Sequence, residues 1–172
     1  DLNAQILVSP EEGRQLLAWS APAAGEPEDG LLHQLLERQA GLHPERVALL
    51  HEDGELTYGE LNAQANQLAH WLQTRGVGPE VREGIFMERS PEMVKALFAI
   101  LKAGGAYVPL DPEYPMERIQ WVVEDSGCPF LLTQPHLLDR LPAGVEAICP
   151  ETTDFWWELA IQSQEEPASA VT

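Results

Sequence analysis

Apolar positions along this chain recur at two spacings. Some fall three to four residues apart and others form short unbroken runs, which predicts helices and strands in turn. Leu61, Ala65, Leu68, Ala69 and Leu72 follow at spacings of four, three, one and three, one face of a long helix. Met93, Val94, Leu97, Phe98 and Leu101 predict a second helix, and Met116, Ile119, Val122 and Val123 a third. Between and after them, apolar runs at residues 84–87, 106–110, 130–133 and 145–149 predict strands. Strands alternating with helices imply parallel pairing through right-handed crossovers. The expected fold class is therefore α/β, a doubly wound, largely parallel sheet with flanking helices.

Turn and cap residues divide the pattern. Residues 101–119 compress helix, strand and helix into one stretch: Gly104 and Gly105 end a helix and reverse the chain into a strand expected to be buried, and Pro112 and Pro115 lead into the next helix. Asp111 falls at the carboxyl end of that strand, the edge that faces ligands in open α/β sheets. Ser90-Pro91 is a capped helix start. Thr57, with Glu60 three residues on, forms a capping box for the long helix. Ahead of it, residues 47–51 and 56–58 predict a β-hairpin turning at Asp53-Gly54. Leu31, Leu32, Leu35 and Leu36 mark an earlier helix stopped by Gly41 and Pro44, and Ser9-Pro10-Glu11-Glu12 opens a short one reaching about Trp19. A short helix is expected around residues 137–141, and Phe155, Trp156, Trp157 and Leu159 suggest a short helix or a docking turn. Residues 20–30, SAPAAGEPEDG, and residues 162–172, QSQEEPASAVT, carry little to bury and read as linkers. The expected organisation is a linker with a short helix over 1–30, a folded unit over 31–161, and a linker-like tail over 162–172.

Charge narrows the partners. With 28 acidic and 10 basic residues the formal charge is −18, which repels phosphate backbones and anionic lipid and sets nucleic acid and membranes aside. No apolar run approaches the roughly 20 residues that span a bilayer, and residues 1–5 lack a signal-peptide pattern. The expected location is the cytoplasm. The chain begins without Met, which suggests an internal segment or a processed product. Its two cysteines, Cys128 and Cys149, are expected to be buried free thiols. His33, His43, His51, His70 and His136 are scattered without metal-ligand spacing, and no Gly-x-Ser-x-Gly elbow offers a serine nucleophile.

Three stretches invite a chemical reading, and each is better explained as scaffold. Phosphate binding needs a loop of backbone N–H groups, often with a lysine. Gly76-Val77-Gly78 precedes a strand and lacks the third glycine of a dinucleotide fingerprint. Lys102-Ala103-Gly104-Gly105 closes a helix, where the dipole is negative. Asp111, Glu113 and Glu117 are spread by two prolines over a turn, where a solvated loop outweighs a metal cluster. No catalytic, cofactor-binding or metal-binding residue is assigned.

Three motifs nonetheless carry a resemblance. Leu56-Thr-Tyr-Gly-Glu-Leu-Asn62, Glu88-Arg-Ser-Pro-Glu-Met93 and the stretch LKAGGAYVPLDPEYPMERI at 101–119 resemble, in order and spacing, the first two core motifs and the segment between them of nonribosomal peptide synthetase adenylation domains. The resemblance is close over 31–133. Residues 7–30 resemble the segment that joins a condensation domain to an adenylation domain. The resemblance implies an incomplete N-terminal subdomain of an adenylate-forming enzyme, inactive alone. It implies a parent that selects an amino acid, forms its aminoacyl adenylate from ATP with Mg2+, and loads it onto the phosphopantetheine thiol of a carrier domain. Implied partners are a condensation domain upstream, and the rest of the adenylation domain and a carrier domain downstream. In that family the phosphate loop, pocket and catalytic lysine come later, and residues 167–172 resemble the lead-in to that loop. A fragment of an acyl-CoA or fatty acyl-AMP ligase, or a short non-catalytic protein binding a partner domain through Trp156-Trp157, are the alternatives. Glu83 departs from the family, which usually carries an aliphatic residue there. Within a strand covered on both faces its carboxylate would cost several kcal/mol if unpaired; if the strand begins at Gly84 it lies at an exposed entry.

Overall fold

The computed structural model describes residues 9–20, 30–52 and 54–168. It divides into two compact units, residues 1–30 and 31–172. In the first, helix α1 (Pro10–Ser20) begins at a reciprocal cap: Glu12 N donates to Ser9 Oγ at 3.2 Å and Ser9 N to the Glu12 carboxylate at 2.8 Å. It buries no side chain. Residues 21–29, most of the linker read from composition, lie outside the described residues, as does Asp53 of the predicted hairpin turn.

The second unit runs α2 (Leu32–Leu42), β1 (Val47–His51), β2 (Gly54–Thr57), α3 (Tyr58–Thr74), β3 (Arg82–Phe86), α4 (Pro91–Ala103), β4 (Ala106–Leu110), α5 (Met116–Ser126), β5 (Phe130–Thr133), a 3-10 turn (Pro135–Arg140), β6 (Glu146–Ile148) and α6 (Thr153–Ala160). β1 and β2 form the antiparallel hairpin, bulged between Val47 and Leu49. Thr57 ends it and caps α3, accepting from Glu60 N at 3.2 Å while Thr57 N donates to Glu60 at 2.9 Å. The four remaining strands form one parallel sheet in the order β4-β3-β5-β6. The chain winds outward from β3 to β4, then returns past β3 to β5 and β6. The two oppositely directed crossovers, through α4 and through α5, then place these helices on opposite faces. One face packs under α3, α4 and α6, with Ile85, Leu132 and Ile148 meeting Leu68, Leu72, Ala96 and Ile100. Phe86, Leu110 and Leu131 face the other way, onto Ile119 and Leu137. The sheet is thus doubly wound with helices on both faces, as the alternation implies.

The structure corrects several details. β4 is an edge strand, and Ala106, Tyr107 and Pro109 are exposed, so it is not the buried strand expected from its apolar run. Pro109 suits an edge, where no ladder donor is required. α4 buries Ala96, Ala99, Ile100, Lys102 and Ala103, whereas Met93, Val94, Leu97, Phe98 and Leu101 are only half-buried. Its small residues face the core because two helices crowd there, a constraint that apolar periodicity does not register. α2 buries His33, Leu36 and Ala40 and leaves Leu32 exposed. In α5 only Ile119 is buried, and Met116 lies at the surface. β3 starts at Arg82, which places Glu83 inside the central strand with no exposed surface. Residues 162–168, linker-like by composition, lie along α3 with Pro167 buried.

Candidate functional site at the carboxyl edge of the sheet

In an open α/β sheet the crevice for a ligand opens where strand order reverses. Here that point lies between the carboxyl ends of β3 and β5, and side chains from the two following loops close it. Thr133 Oγ1, fully buried, donates to Phe86 O at 2.8 Å. Gln134 Oε1 accepts from Glu88 N at 2.8 Å, and its Nε2 donates to Ser90 Oγ at 3.3 Å. Ser90 Oγ in turn accepts from Met93 N at 3.1 Å as the cap of α4. The backbone donors of Glu88 and Met93 are therefore spent internally. The neighbouring charges are also unsuited to one. Glu88 lies 3.3 Å from His136 Nε2, and Glu92 2.9 Å from Lys95 Nζ. Burial, then the charge of Glu92, pushes the Glu151 carboxyl above its ordinary value. A cleft of about 570 Å3 opens beside these residues, lined by Glu92, Lys95, Glu151, Trp156, Gln67 and Gln164. Its carboxylates and amides do not fit the phosphates of a nucleotide. Nor, among the described residues, does any group of three His, Cys, Asp or Glu side chains lie together in a way that could hold a metal ion.

The stretches weighed from the sequence fall elsewhere. Gly104 has φ +93° and closes α4 in the left-handed region, and a Cβ on Gly105 would meet Val77 Cγ1 at 2.7 Å and Val81 O at 3.2 Å. The pair is there for the turn and for the close passage of the backbone. Lys102 points into the protein, its Nζ 2.5 Å from Glu37 of α2 with no exposed side-chain surface. Burial holds its ammonium below the ordinary lysine value against the opposing pull of Glu37, and burial likewise lowers the neighbouring His33. Asp111 Oδ1 accepts from Glu113 N at 2.9 Å, the bond of a turn, and Arg118 stacks over Tyr114 at 4.1 Å. Glu83 has both carboxyl oxygens buried without a hydrogen-bond partner, and burial pushes its pKa up to about 8 despite Arg75. Cys128 and Cys149 are buried free thiols, raised by burial.

In α6, Phe155 stacks edge-on against Trp71 at 4.6 Å and Trp71 Nε1 donates to Glu158 at 2.9 Å, so this segment is a packed helix. Trp156 and Trp157 remain exposed, 4.9 Å apart. Sequence reasoning missed the closing role of Gln134. Its only signal is position: a polar residue immediately after the wholly buried strand β5.

A doubly wound parallel sheet with helices packed on both faces places the chain in the α/β class. Residues 36–170 match the family of AMP-binding enzymes, and the chain belongs to that family. It corresponds to the N-terminal part of a nonribosomal peptide synthetase adenylation domain. It is 49% identical over 154 residues to Tyrocidine synthase 3 of Brevibacillus parabrevis, covering 89% of this chain and 2% of that protein. It is 47% identical over 141 residues to Gramicidin S synthase 2 of Brevibacillus brevis, covering 81% of this chain and 3% of the relative. The chain thus spans a small fraction of the length of the curated relatives it matches. Among solved structures, the nonribosomal peptide synthetase FmoA3 in its AMPPNP-bound form aligns with TM-score 0.80 and 31% identity, over 95% of this chain and 17% of that one. The N-terminal subdomain of Klebsiella oxytoca NpsA shares the fold, with TM-score 0.66 and 24% identity over 80% of this chain and 34% of that one.

Proposed function

We propose that this segment serves, within its intact protein, the activation of an amino acid as its adenylate. The carboxylate attacks the α-phosphorus of ATP, with Mg2+ balancing charge, and pyrophosphate leaves. The thiol of a carrier-domain phosphopantetheine then takes the aminoacyl group and releases AMP. The observation that carries this reading is the match of residues 36–170 to AMP-binding enzymes, joined to 49% identity with a peptide synthase over 89% of the chain. A condensation domain before the segment, and the rest of the adenylation domain and a carrier domain after it, are the partners that go with it. A cytoplasmic setting agrees with the thiols of Cys128 and Cys149 being free and, among the described residues, with no helix long and apolar enough to cross a membrane.

Within that reaction the chain is scaffold and supplies no catalytic, cofactor-binding or metal-binding residue. Adenylate formation needs donors around phosphates, a cation for developing charge and a pocket aligning the carboxylate. Closure of the reversal point by Gln134 supports the scaffold role. The test is pyrophosphate–ATP exchange by the 172-residue chain with each of the proteinogenic amino acids and Mg2+. The expected result is no exchange above an inactive-protein control, and amino-acid-dependent exchange would overturn the assignment.

A further inference from the structure

Residues 159–168 leave α6 and lie against α3, and the bonds that hold them share one property. Gln67 Nε2 donates to Leu159 O at 3.1 Å and to Gln162 O at 3.4 Å. Asn66 Nδ2 donates to Gln164 O at 2.7 Å, His70 Nε2 lies 3.0 Å from Glu165 O, and Gln73 Nε2 donates to Ala168 O at 3.0 Å. Each of these acceptors is a main-chain carbonyl, and each partner is a side chain from one stripe of one helix. Asn66 and Gln73 are two turns apart, and Gln67 and His70 lie between them, as helical spacing requires for one row. Asn66 is 1% exposed, although it is polar and shares its burial with Leu61, Ala65, Leu68 and Ala69. Of the strap's own side chains, Leu159 packs against the core and Pro167 is buried, whereas Gln164 and Glu165 are exposed. Glu166 lies within electrostatic reach of the buried Lys102 and of His33.

We propose that Asn66, Gln67, His70 and Gln73 form a backbone-reading clasp, a docking row on α3 that holds residues 159–168 chiefly through their carbonyls, and so fixes where the chain leaves the sheet. The proposal does not rest on the adenylation reading. Main-chain acceptors are the same at every residue, so such a row sets the path of a segment without constraining its sequence. That accounts for how a stretch as poor in apolar residues as QSQEEPA is laid along a helix. It also makes release of the strap separable from unfolding, because the sheet core beneath α3 takes no part in these bonds.

The experiment uses the full chain and cleavage of the Glu165–Glu166 bond by a glutamate-specific protease, followed by mass spectrometry, beside urea melts. Gln67→Glu with Gln73→Glu keeps the size of both side chains and removes three donated bonds. Each lost bond costs a severalfold factor in the closed population. The double variant should therefore be cut at least about tenfold faster, with its urea midpoint nearly unchanged. Ser163→Ala with Gln164→Ala, which changes strap side chains only, should be cut at the parent rate. Unchanged cleavage in the α3 variant would overturn the clasp. Acceleration by the strap variant equal to that of the α3 variant would overturn backbone reading. A midpoint that falls in step with cleavage would overturn separability.

Discussion

Replacing Glu83 by valine should stabilise the protein, and by an amount that depends on pH. Glu83 sits in the central strand in register with Tyr107 of β4, with no exposed surface and neither carboxyl oxygen hydrogen-bonded. Arg75 is the cation that opposes the effect of burial, but its guanidinium is bonded to Glu146 and lies over the Trp71 and Phe130 rings. Burial raises the carboxyl from 4.5 to about 8. The folded state thus prefers the protonated acid. The stability associated with it is complete below about pH 4.5 and is lost as pH rises towards about 8. At about 1.4 kcal/mol per pH unit, the loss at pH 7 is about 3 kcal/mol. Valine removes that loss and adds a residue suited to a covered strand, while its smaller volume returns roughly 1 kcal/mol. The net gain at pH 7 is about 2–4 kcal/mol, which corresponds to about 1–2 M in urea midpoint for a domain of this size. Urea melts of both proteins at about pH 5, 7 and 9 test this. The midpoints should lie close together at the acid end, diverge up to about pH 8 and then run parallel. A Glu83→Val midpoint equal to or below that of the parent at neutral pH, or a gap independent of pH, would refute the reasoning.

Two further substitutions probe the packing. Glu37→Ala should cost about 3–5 kcal/mol in urea melts, because it strands the ammonium of Lys102 with no exposed surface, whereas Lys102→Met should cost less, since Glu37 retains access to water. Equal costs would mean that the pair is not buried as described. Gly84→Ala should lower stability by about 1–3 kcal/mol in a thermal melt, since its Cβ would run into Leu131 Cδ2 on a face where Leu131 is fully buried against Leu110. An unchanged melting temperature would mean that Leu131 can turn aside.

The order of elements was legible because strands and helices alternate with clear caps: Thr57 with Glu60, and Ser90 with Pro91, start their helices where the pattern places them. The family was legible from motifs 56–62, 88–93 and 101–119, since glycine turns and proline breaks at fixed spacing are rarely matched together by accident. Which strand lies at the edge was not legible. β4 and β5 are both short apolar runs, and only the reversal of winding leaves β4 with one neighbour. Long-range polar partners were equally hidden: Lys102 reads as an ordinary helix-terminal cation until α2 brings Glu37 beside it, 65 positions away. The strap at 162–168 reads as a linker because its own side chains bury little. What holds it is written in α3, nearly a hundred residues earlier.

The central claim, that this segment is the scaffold of an adenylation domain and carries no part of its site, is tested most directly by grafting. Residues 31–168 would replace the segment of Tyrocidine synthase 3 with which the chain aligns, a relative 49% identical over 154 residues. Amino-acid-dependent pyrophosphate–ATP exchange would then be measured for the host and the graft. The graft should show exchange with the amino-acid preference of the host. A folded graft that exchanges nothing, or one that prefers a different amino acid, would contradict it.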